Sequence, residues 1–186
     1  TLVGVSAWAV DQDATQSAVR YALTNDAEGR FVIDANTGVV TTAQVLDAEV
    51  ALGHTLVVQA TSADGSTASQ TWTVAVQDVD EFDLVAIDDV NTAPQVLPES
   101  AAIGTAVGVT AHSVDADATD STVTYTLLNN AGGRFAIDAT SGVITVAAAL
   151  DAETAMSHTV VVQSASADGS LWAQAFTVLV TDVDEF

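Results

Sequence analysis

The chain has 186 residues, 49% of them hydrophobic, with 25 acidic and 3 basic residues, no cysteine and a formal net charge of −22. This apolar content is enough for a packed core and argues against disorder. The charge repels nucleic acid and anionic lipid headgroups, so we expect neither as a partner. No apolar run approaches the ~18 residues of a transmembrane helix, so we expect no membrane insertion. Small secreted eukaryotic domains usually contain disulfides, so the lack of cysteine favours a bacterial source.

Short runs of alternating apolar residues predict β-strands along the first half of the chain. In chain order the runs cover 3–9, 19–23, 31–33, 39–42, 55–60 and 72–76. Between the third and fourth runs, Asp34 to Gly38 is turn chemistry, because Asp accepts hydrogen bonds from the backbone that follows it and Gly tolerates a positive φ. One more strand is predicted around 93–103. The pattern predicts an all-β sandwich of about seven strands per repeat.

The chain repeats itself with a period of 104 residues. Residues 1–82 align with 105–186 without insertion, and about 50 of the 82 pairs are identical. We therefore predict a first repeat at 1–82, a linker and leading strand at 83–104, and the core of a second repeat at 105–186. The leading segment, residues 83–104, occurs once, so the first repeat has no counterpart of it. We expect the chain to begin inside a repeat of a longer array.

The same motifs recur in the same order in both copies. Copy two contains Pro98-Glu99, Asp115-Ala-Asp117, Leu150-Asp-Ala-Glu153, Ala167-Asp-Gly169 and Asp182-Val-Asp-Glu-Phe186, and copy one keeps all but the first. In this order and spacing the whole chain resembles the cadherin-like repeats of large secreted bacterial proteins. The resemblance implies two tandem seven-stranded Greek-key β-sandwiches, the first without its leading strand, and Ca²⁺ bound at the junctions between successive domains.

Carried over by position, the resemblance also implies a set of metal ligands. For the junction between the two copies these are Asp47, Glu49, Asp78 and Asp80 from the first copy and Asp115, Asp117 and Asp168 from the second. Facing an upstream domain they are Asp11, Asp13 and Asp64, and facing a downstream one they are Glu99, Asp151, Glu153, Asp182 and Asp184. Calcium prefers six to eight hard oxygen ligands, which fits these acids, although single acids at strand ends are often only solvated turn residues.

The function expected from this pattern is mechanical and adhesive. We predict a calcium-stiffened, secreted repeat module of a bacterial surface or matrix protein, acting in adhesion, biofilm or filament assembly, with neighbouring repeats or subunits as partners. The alternative is a calcium-dependent polysaccharide-binding module, either independent or accessory to a secreted hydrolase, in which exposed Trp8 and Trp172 stack on sugar rings. Repetition explains the acids without catalysis, so we predict no enzyme activity.

The first copy should be the less stable of the two. Residues 83–104 supply a leading strand only to the second copy, so the first is expected to present an unpaired sheet edge and an apolar slot. Such a gap can accept a strand from a preceding repeat or from an adjacent subunit.

Overall fold

The structure is a computed structural model and describes residues 1–13, 15 and 17–184. The chain divides into two compact units, Thr1–Val79 and Asp80–Phe186. The described residues form strands and turns only, and they include no helix long and apolar enough to cross a membrane. The all-β prediction is therefore confirmed.

The first unit is built from two three-stranded sheets. One sheet has the order β1-β4-β3 and the other the order β2-β5-β6. The strands are β1 (Leu2–Ser6), β2 (Val19–Asn25), β3 (Phe31–Ile33), β4 (Val39–Thr42), β5 (Gly53–Ser62) and β6 (Thr67–Ala75). Its buried side chains fall into two clusters, one around Tyr21 and Val58 and one around Phe31, Val40 and Leu56.

The second unit repeats this plan with one extra strand on each sheet. The sheet orders are β10-β13-β14-β8 and β11-β12-β9-β7. The strands are β7 (Asp88–Asp89), β8 (Val96–Pro98), β9 (Ala106–His112), β10 (Thr124–Asn129), β11 (Phe135–Ile137), β12 (Val143–Val146), β13 (Ser157–Ala165) and β14 (Leu171–Thr181). A single buried core joins both sheets and includes Ile87 and Leu97 of the leading segment.

The leading segment forms two short strands where the sequence predicted one. β7 pairs antiparallel with β9, and β8 pairs parallel with β14. Only β8 lies inside the predicted range of 93–103. The segment thus crosses from one sheet to the other. The crossing takes place in residues 90–95, which are irregular and lie between the two strands. The described part of the second unit therefore has eight strands, because its leading segment forms two.

The predicted turn after the third strand is present in both units. Asp34 Oδ1 accepts hydrogen bonds from the backbone amides of Asn36 at 2.9 Å and Thr37 at 2.7 Å, and Asp138 makes the equivalent bonds. Gly38 closes the turn with φ +69°, and a Cβ there would lie 2.3 Å from the carbonyl oxygen of Ala7. Only glycine fits this position, because the turn packs directly against the neighbouring strand.

Candidate metal centre

Three carboxylates of the second unit converge at one end of its sandwich. Asp80 opens the unit, Asp117 follows β9, and Asp168 lies in the turn between β13 and β14. One carboxylate oxygen from each lies within 4.8 Å of the other two. We call this group the proximal cluster. The prediction assigned Asp80 to the first copy, whereas the structure groups it with the second unit, where it joins Asp117 and Asp168.

Asp117 is the best-defined member of the proximal cluster. It is only 5% exposed. Its Oδ1 accepts hydrogen bonds from the backbone amides of Glu81 at 3.3 Å and Phe82 at 3.2 Å. Its Oδ2 is buried and has no hydrogen-bond partner among the described residues. A buried carboxylate oxygen without a donor is costly, so this atom is suited to a cation.

The electrostatics of the proximal cluster point the same way. The pKa of Asp80 is raised by partial desolvation and by the negative charges of Asp168 and Asp117. The pKa of Asp168 is lowered, because its carboxylate accepts a hydrogen bond from the backbone amide of Ser170 at 2.7 Å. Asp168 therefore stays negatively charged, and its charge disfavours the ionised form of the neighbouring Asp80. A bound cation would relieve this repulsion.

A second group of acids lies at the other end of the same unit. Carboxylate oxygens of Glu99, Glu153 and Asp182 lie within 4.8 Å of one another, and we call them the distal cluster. Glu99 is 7% exposed, and it accepts hydrogen bonds from the backbone amides of Ala152 at 2.7 Å and Val183 at 2.8 Å. These two bonds lower the pKa of Glu99. Glu99 thus fixes the two chain segments that carry the other members.

The first unit carries partial versions of both clusters. Oxygens of Asp11, Asp13 and Asp64 lie within 4.8 Å of one another, and so do oxygens of Glu49 and Asp78. Except for Asp11, whose counterpart is Asp115, these positions match members of the two clusters of the second unit at the 104-residue offset. Asp11 is half-buried and the other two acids of its trio are exposed, whereas Asp115 and Asp117, the counterparts of Asp11 and Asp13, are buried. The first unit therefore holds its acids in a more open setting.

Four predicted ligands lie outside the clusters found among the described residues. Asp47 accepts bonds from the amides of Glu49 and Val50, and Asp151 accepts bonds from the amide and hydroxyl of Thr154. Asp115 is buried, and it accepts bonds from the Asp117 amide and the Ser166 hydroxyl. Asp184 is exposed. The first three of these acids, Asp47, Asp151 and Asp115, hold backbone next to a cluster. Metal ligation by any of the four stays a prediction.

Two serines around the Asp-Gly turn also hold the acids in place, and they were not among the predicted site residues. Ser166 orients Asp115, and Ser170 donates its amide to Asp168 while its hydroxyl accepts the amide of Leu84 at 3.2 Å. The corresponding residues of the first unit are Ser62 and Ser66, and they make the equivalent bonds to Asp11 and Asp64. The conserved spacing of both serines in Ser-Ala-Asp-Gly-Ser, once per copy, was the available signal.

Comparison with known proteins identifies the fold and the family. The chain matches the cadherin domain family over residues 3–77 and 94–181. The chain belongs to the cadherin family. Human protocadherin Fat 4 is 34% identical over 161 residues, 83% of this chain and 3% of Fat 4. Drosophila melanogaster protein dachsous is 33% identical over 190 residues, 97% of this chain and 5% of dachsous. This cadherin chain therefore spans only a small part of the curated relatives that it matches.

Solved cadherin structures share the fold. Protocadherin gamma B2 extracellular cadherin domains 1–5 superpose with a TM-score of 0.74 at 23% identity, covering 97% of this chain and 35% of that one. Mouse cadherin-23 EC22-24 gives a TM-score of 0.66 at 24% identity, covering 94% and 56%. Cadherin domains are extracellular and bind calcium as a family. The donor set here fits that ion, because both clusters of the second unit consist of hard carboxylate oxygens.

Proposed function

We propose that this chain is a calcium-stiffened extracellular repeat module of a bacterial surface or matrix protein, acting in adhesion, biofilm or filament assembly. The observation that carries the proposal is Asp117, a buried carboxylate with one oxygen unpartnered among the described residues and two other carboxylates within 4.8 Å. Calcium would supply the missing positive charge, and it would hold the loops that carry these acids in one arrangement.

The proposed ligands follow the clusters. Asp80, Asp117 and Asp168 would hold one ion and Glu99, Glu153 and Asp182 another, with Asp11, Asp13 and Asp64 as the open counterpart in the first unit. Asp47, Asp115, Asp151 and Asp184 are proposed as supporting or additional ligands. Glu49 and Asp78 are proposed as ligands by the sequence resemblance and by their mutual proximity.

The adhesive role is supported by family and by composition. The relatives that this chain matches include protocadherins. A formal charge of −22 without cysteine suits an exported protein whose rigidity comes from bound cations rather than disulfides. The proposed partners are neighbouring repeats or other subunits of the same protein.

The first test is thermal unfolding at constant ionic strength in chelator, in 5 mM calcium and in 5 mM magnesium. An affinity of roughly 0.3 mM would give about 1.7 kcal/mol of stabilisation per site in calcium. Asp117→Asn should remove most of the gain that the proximal cluster provides. Glu28→Gln is the matched control, because the Glu28 side chain is 87% exposed and belongs to no cluster of the described residues. Equal melting temperatures in chelator and calcium would refute the proposal.

A groove in the first unit favours polysaccharide binding as the second candidate. Trp8, Tyr21 and Trp72 line a cavity of about 390 Å³ together with Gln70, and Trp8 is 84% exposed. Aromatic faces beside an amide suit a sugar ring. Trp172 belongs to the second unit and is 43% exposed. Titration calorimetry with acidic and neutral polysaccharides, for the wild type and Trp8→Ala, tests this candidate. Binding that Trp8→Ala leaves unchanged would exclude this groove.

A further inference from the structure

The second unit contains one arginine and no lysine, and this arginine has no acidic partner. It is Arg134, one of only three basic residues in the chain. Although the unit is rich in Asp and Glu, no carboxylate of the described residues lies within 4 Å of its guanidinium. We propose that Arg134 is the centre of a binding site for the carboxylate of an acidic sugar residue, a uronate. The site is separate from the acidic clusters and from the Trp8 groove, so the inference goes beyond the proposed function.

The loop that carries Arg134 has the same backbone as its counterpart in the first unit. It joins β10 to β11, and the counterpart joins β2 to β3. Gly132 has φ +68°, and the equivalent Glu28 has φ +60°. Arg134 Nη1 donates to the carbonyl of Ala131 at 3.2 Å, and Arg30 Nη1 donates to the equivalent carbonyl at 3.1 Å. The two guanidinium groups are therefore held in the same way.

The first unit shows which group such an arginine binds. Glu28 Oε2 lies 2.9 Å from Arg30 Nη1, so a carboxylate already occupies the guanidinium there. The second unit has Gly132 in place of this glutamate and Asn130 in place of Asp26. Both differences remove a negative charge from a loop whose backbone is retained. The second guanidinium is therefore open at the point where the first holds a carboxylate.

The surroundings of the arginine leave room for a small ligand. In the first unit they form a cavity of about 370 Å³, which is within the range of small-molecule sites. Six of its eight lining residues recur at the 104-residue offset, among them Asn129, Arg134, His158 and Thr159 in the second unit. Glu28 is one of the two that change, and Gly132 leaves its space empty. The second unit thus combines the same polar walls with space for a ligand carboxylate.

The loop also provides donors for the other oxygens of a sugar. The side-chain oxygens of Asn129 and Asn130 accept the amides of Ala131 at 3.0 Å and Gly133 at 2.8 Å. The side-chain amide nitrogens of both asparagines have no acceptor among the described residues, so they are available to ligand oxygens. Within the described part of the chain only Nη1 of Arg134 is engaged, which leaves a guanidinium edge for a carboxylate.

The charge of Arg134 acts on the group next to it. Burial first, and the charge of Arg134 second, lower the pKa of His158. The His158 ring lies edge-on to Phe135 with centroids 5.6 Å apart, and the first unit has the same pair of rings at 5.7 Å. The site therefore has a positive potential inside an acidic unit, and a bound carboxylate would neutralise it.

Net charge decides which source of carboxylate suits this site. A second copy of the chain would bring 22 formal negative charges with its carboxylate, and the two copies would repel each other. A uronate residue in a mostly neutral glycan brings one. The Debye length at 0.15 M salt is about 8 Å, so a ligand of one or two sugar rings interacts mainly with the groups around it. An acidic sugar is therefore the favoured ligand, and an acidic peptide is the alternative that the experiment distinguishes.

The test is a titration of the whole chain with glucuronate, followed by NMR at the amides of Gly132 and Gly133. Chelator is present throughout, because it excludes binding through a calcium ion at the acidic clusters. Glucuronate should shift both amides with a dissociation constant of about 1–10 mM, since one partly exposed ion pair provides most of the affinity. Glucose, the neutral control, should leave them in place. Absence of a glucuronate response would overturn the inference and leave the proposed calcium binding untouched.

The N-acetyl amide of glutamate distinguishes the two sources of carboxylate. It presents the carboxylate of a protein side chain without sugar hydroxyls. It should bind at least about fivefold more weakly than glucuronate, because it loses at least one hydrogen bond to the loop. Equal or tighter binding of this amide would overturn the assignment to a sugar.

Substitutions of Gly132 separate charge from bulk. Gly132→Glu copies the carboxylate of the first unit and should weaken glucuronate binding at least about tenfold, as should Arg134→Gln. The backbone accepts the glutamate, since Glu28 has nearly the same φ. Gly132→Gln has the same bulk without the charge, so it should bind glucuronate more tightly than Gly132→Glu. Equal losses in the two Gly132 variants would overturn the role of the open charge.

A gain of binding in the first unit completes the test. Asp26→Asn/Glu28→Gly gives its loop the sequence Asn-Asn-Ala-Gly-Gly-Arg of the second unit. This variant should acquire a glucuronate response at the Gly29 amide, which the wild type should lack. A wild-type response at Gly29, or no response in the variant, would overturn the inference, because the two loops share one backbone.

Discussion

The two units share about 50 of 82 aligned residues, yet they bury their common positions to different degrees. Val107 and Val178 are fully buried in the second unit, whereas their counterparts Val3 and Val74 are half-buried. The second unit has one continuous core, and the first has two smaller clusters. The difference traces to the leading segment, because Ile87 and Leu97 fill space between sheets that nothing among the described residues fills in the first unit. Burial here depends on a neighbouring segment as much as on the residue itself.

Strand lengths show the same effect. β9 extends to His112, where it meets β7, whereas β1 ends at Ser6, two positions short of the equivalent point. β14 continues to Thr181 beside β8, whereas β6 stops at Ala75. Each strand of the second unit is longer only where a leading strand pairs with it. A partner therefore extends a strand that the sequence alone would allow in both units.

The largest expected effect comes from removing the leading segment's core contacts. Ile87→Ala/Leu97→Ala should destabilise the second unit by roughly 4–8 kcal/mol, since each change leaves a cavity in the core. Calorimetry of the whole chain in calcium should show two transitions, with the upper one moving towards the lower one in the variant. Val85→Ala is the control, because Val85 is 54% exposed in the same segment. An upper transition that stays in place would break the comparison.

A matched pair of single substitutions measures the difference in packing between the two units. Val178→Ala should cost the second unit about 2 kcal/mol, because the side chain is completely buried. Val74→Ala, its equivalent, should cost less than about 1 kcal/mol, because Val74 is already partly solvated. Denaturant unfolding of both variants measures the difference. Equal losses would mean that exposure in the first unit does not reflect weaker packing.

A polar atom in the core of the second unit should be a source of instability. Ser164 is completely buried, and its hydroxyl has no hydrogen-bond partner among the described residues. The first unit has Ala60 at this position, so Ser164→Ala should stabilise the second unit by about 1 kcal/mol. Ala60→Ser is the reverse control, and it should be nearly neutral because Ala60 is half-buried. Destabilisation by Ser164→Ala would show that the hydroxyl has a partner, such as a buried water.

The smallest expected effect is a dependence on pH. Burial, and secondarily the charge of Arg134, lower the pKa of His158 below its ordinary value of 6.5. The unfolded chain therefore takes up a proton first as the pH falls. The stability gained from neutral His158 is complete above about pH 6.5 and is lost as the pH falls through the lower folded-state pKa.

Unfolding of the wild type at pH 7.5 and 5.5 should show this loss, and His158→Leu should reduce it. The ring lies edge-on to Phe135 with centroids 5.6 Å apart, so leucine retains an apolar contact at this position. An identical pH dependence in the two proteins would exclude His158 as the source.

Much of the fold followed from periodicity and turn chemistry. The 104-residue offset and the Asp-to-Gly turns predicted the repeated sandwich, and the central strands lie where Val-rich alternation placed them. β7 was missed because Asp88-Asp89 has no strand propensity of its own, and its pairing comes entirely from β9. The extent of β1 was overpredicted for the converse reason, since its alternating pattern continues past the last paired residue.

The candidate site was predictable in its members but not in their roles. Asp117, Asp168 and Glu99 were expected as ligands, and each lies in a cluster. Asp47 and Asp151 accept hydrogen bonds from the turn that follows, as Asp168 does, yet they lie outside the clusters found among the described residues. A turn-capping acid and a metal ligand look alike in sequence, because Asp two or three residues before a free amide serves both purposes. Only the orientation of the side chain separates them.

The parallel pairing of β8 with β14 has a consequence for a chain under mechanical load. The second unit begins near the proximal cluster and ends near the distal one, so tension along the chain acts roughly parallel to its strands. Leu97 and Val180 belong to a ladder that such tension would load in shear, with its hydrogen bonds stressed together rather than broken one after another. β6, the equivalent strand in the first unit, has no such partner among the described residues. Pulled from its ends, the chain should therefore extend first in residues 1–79.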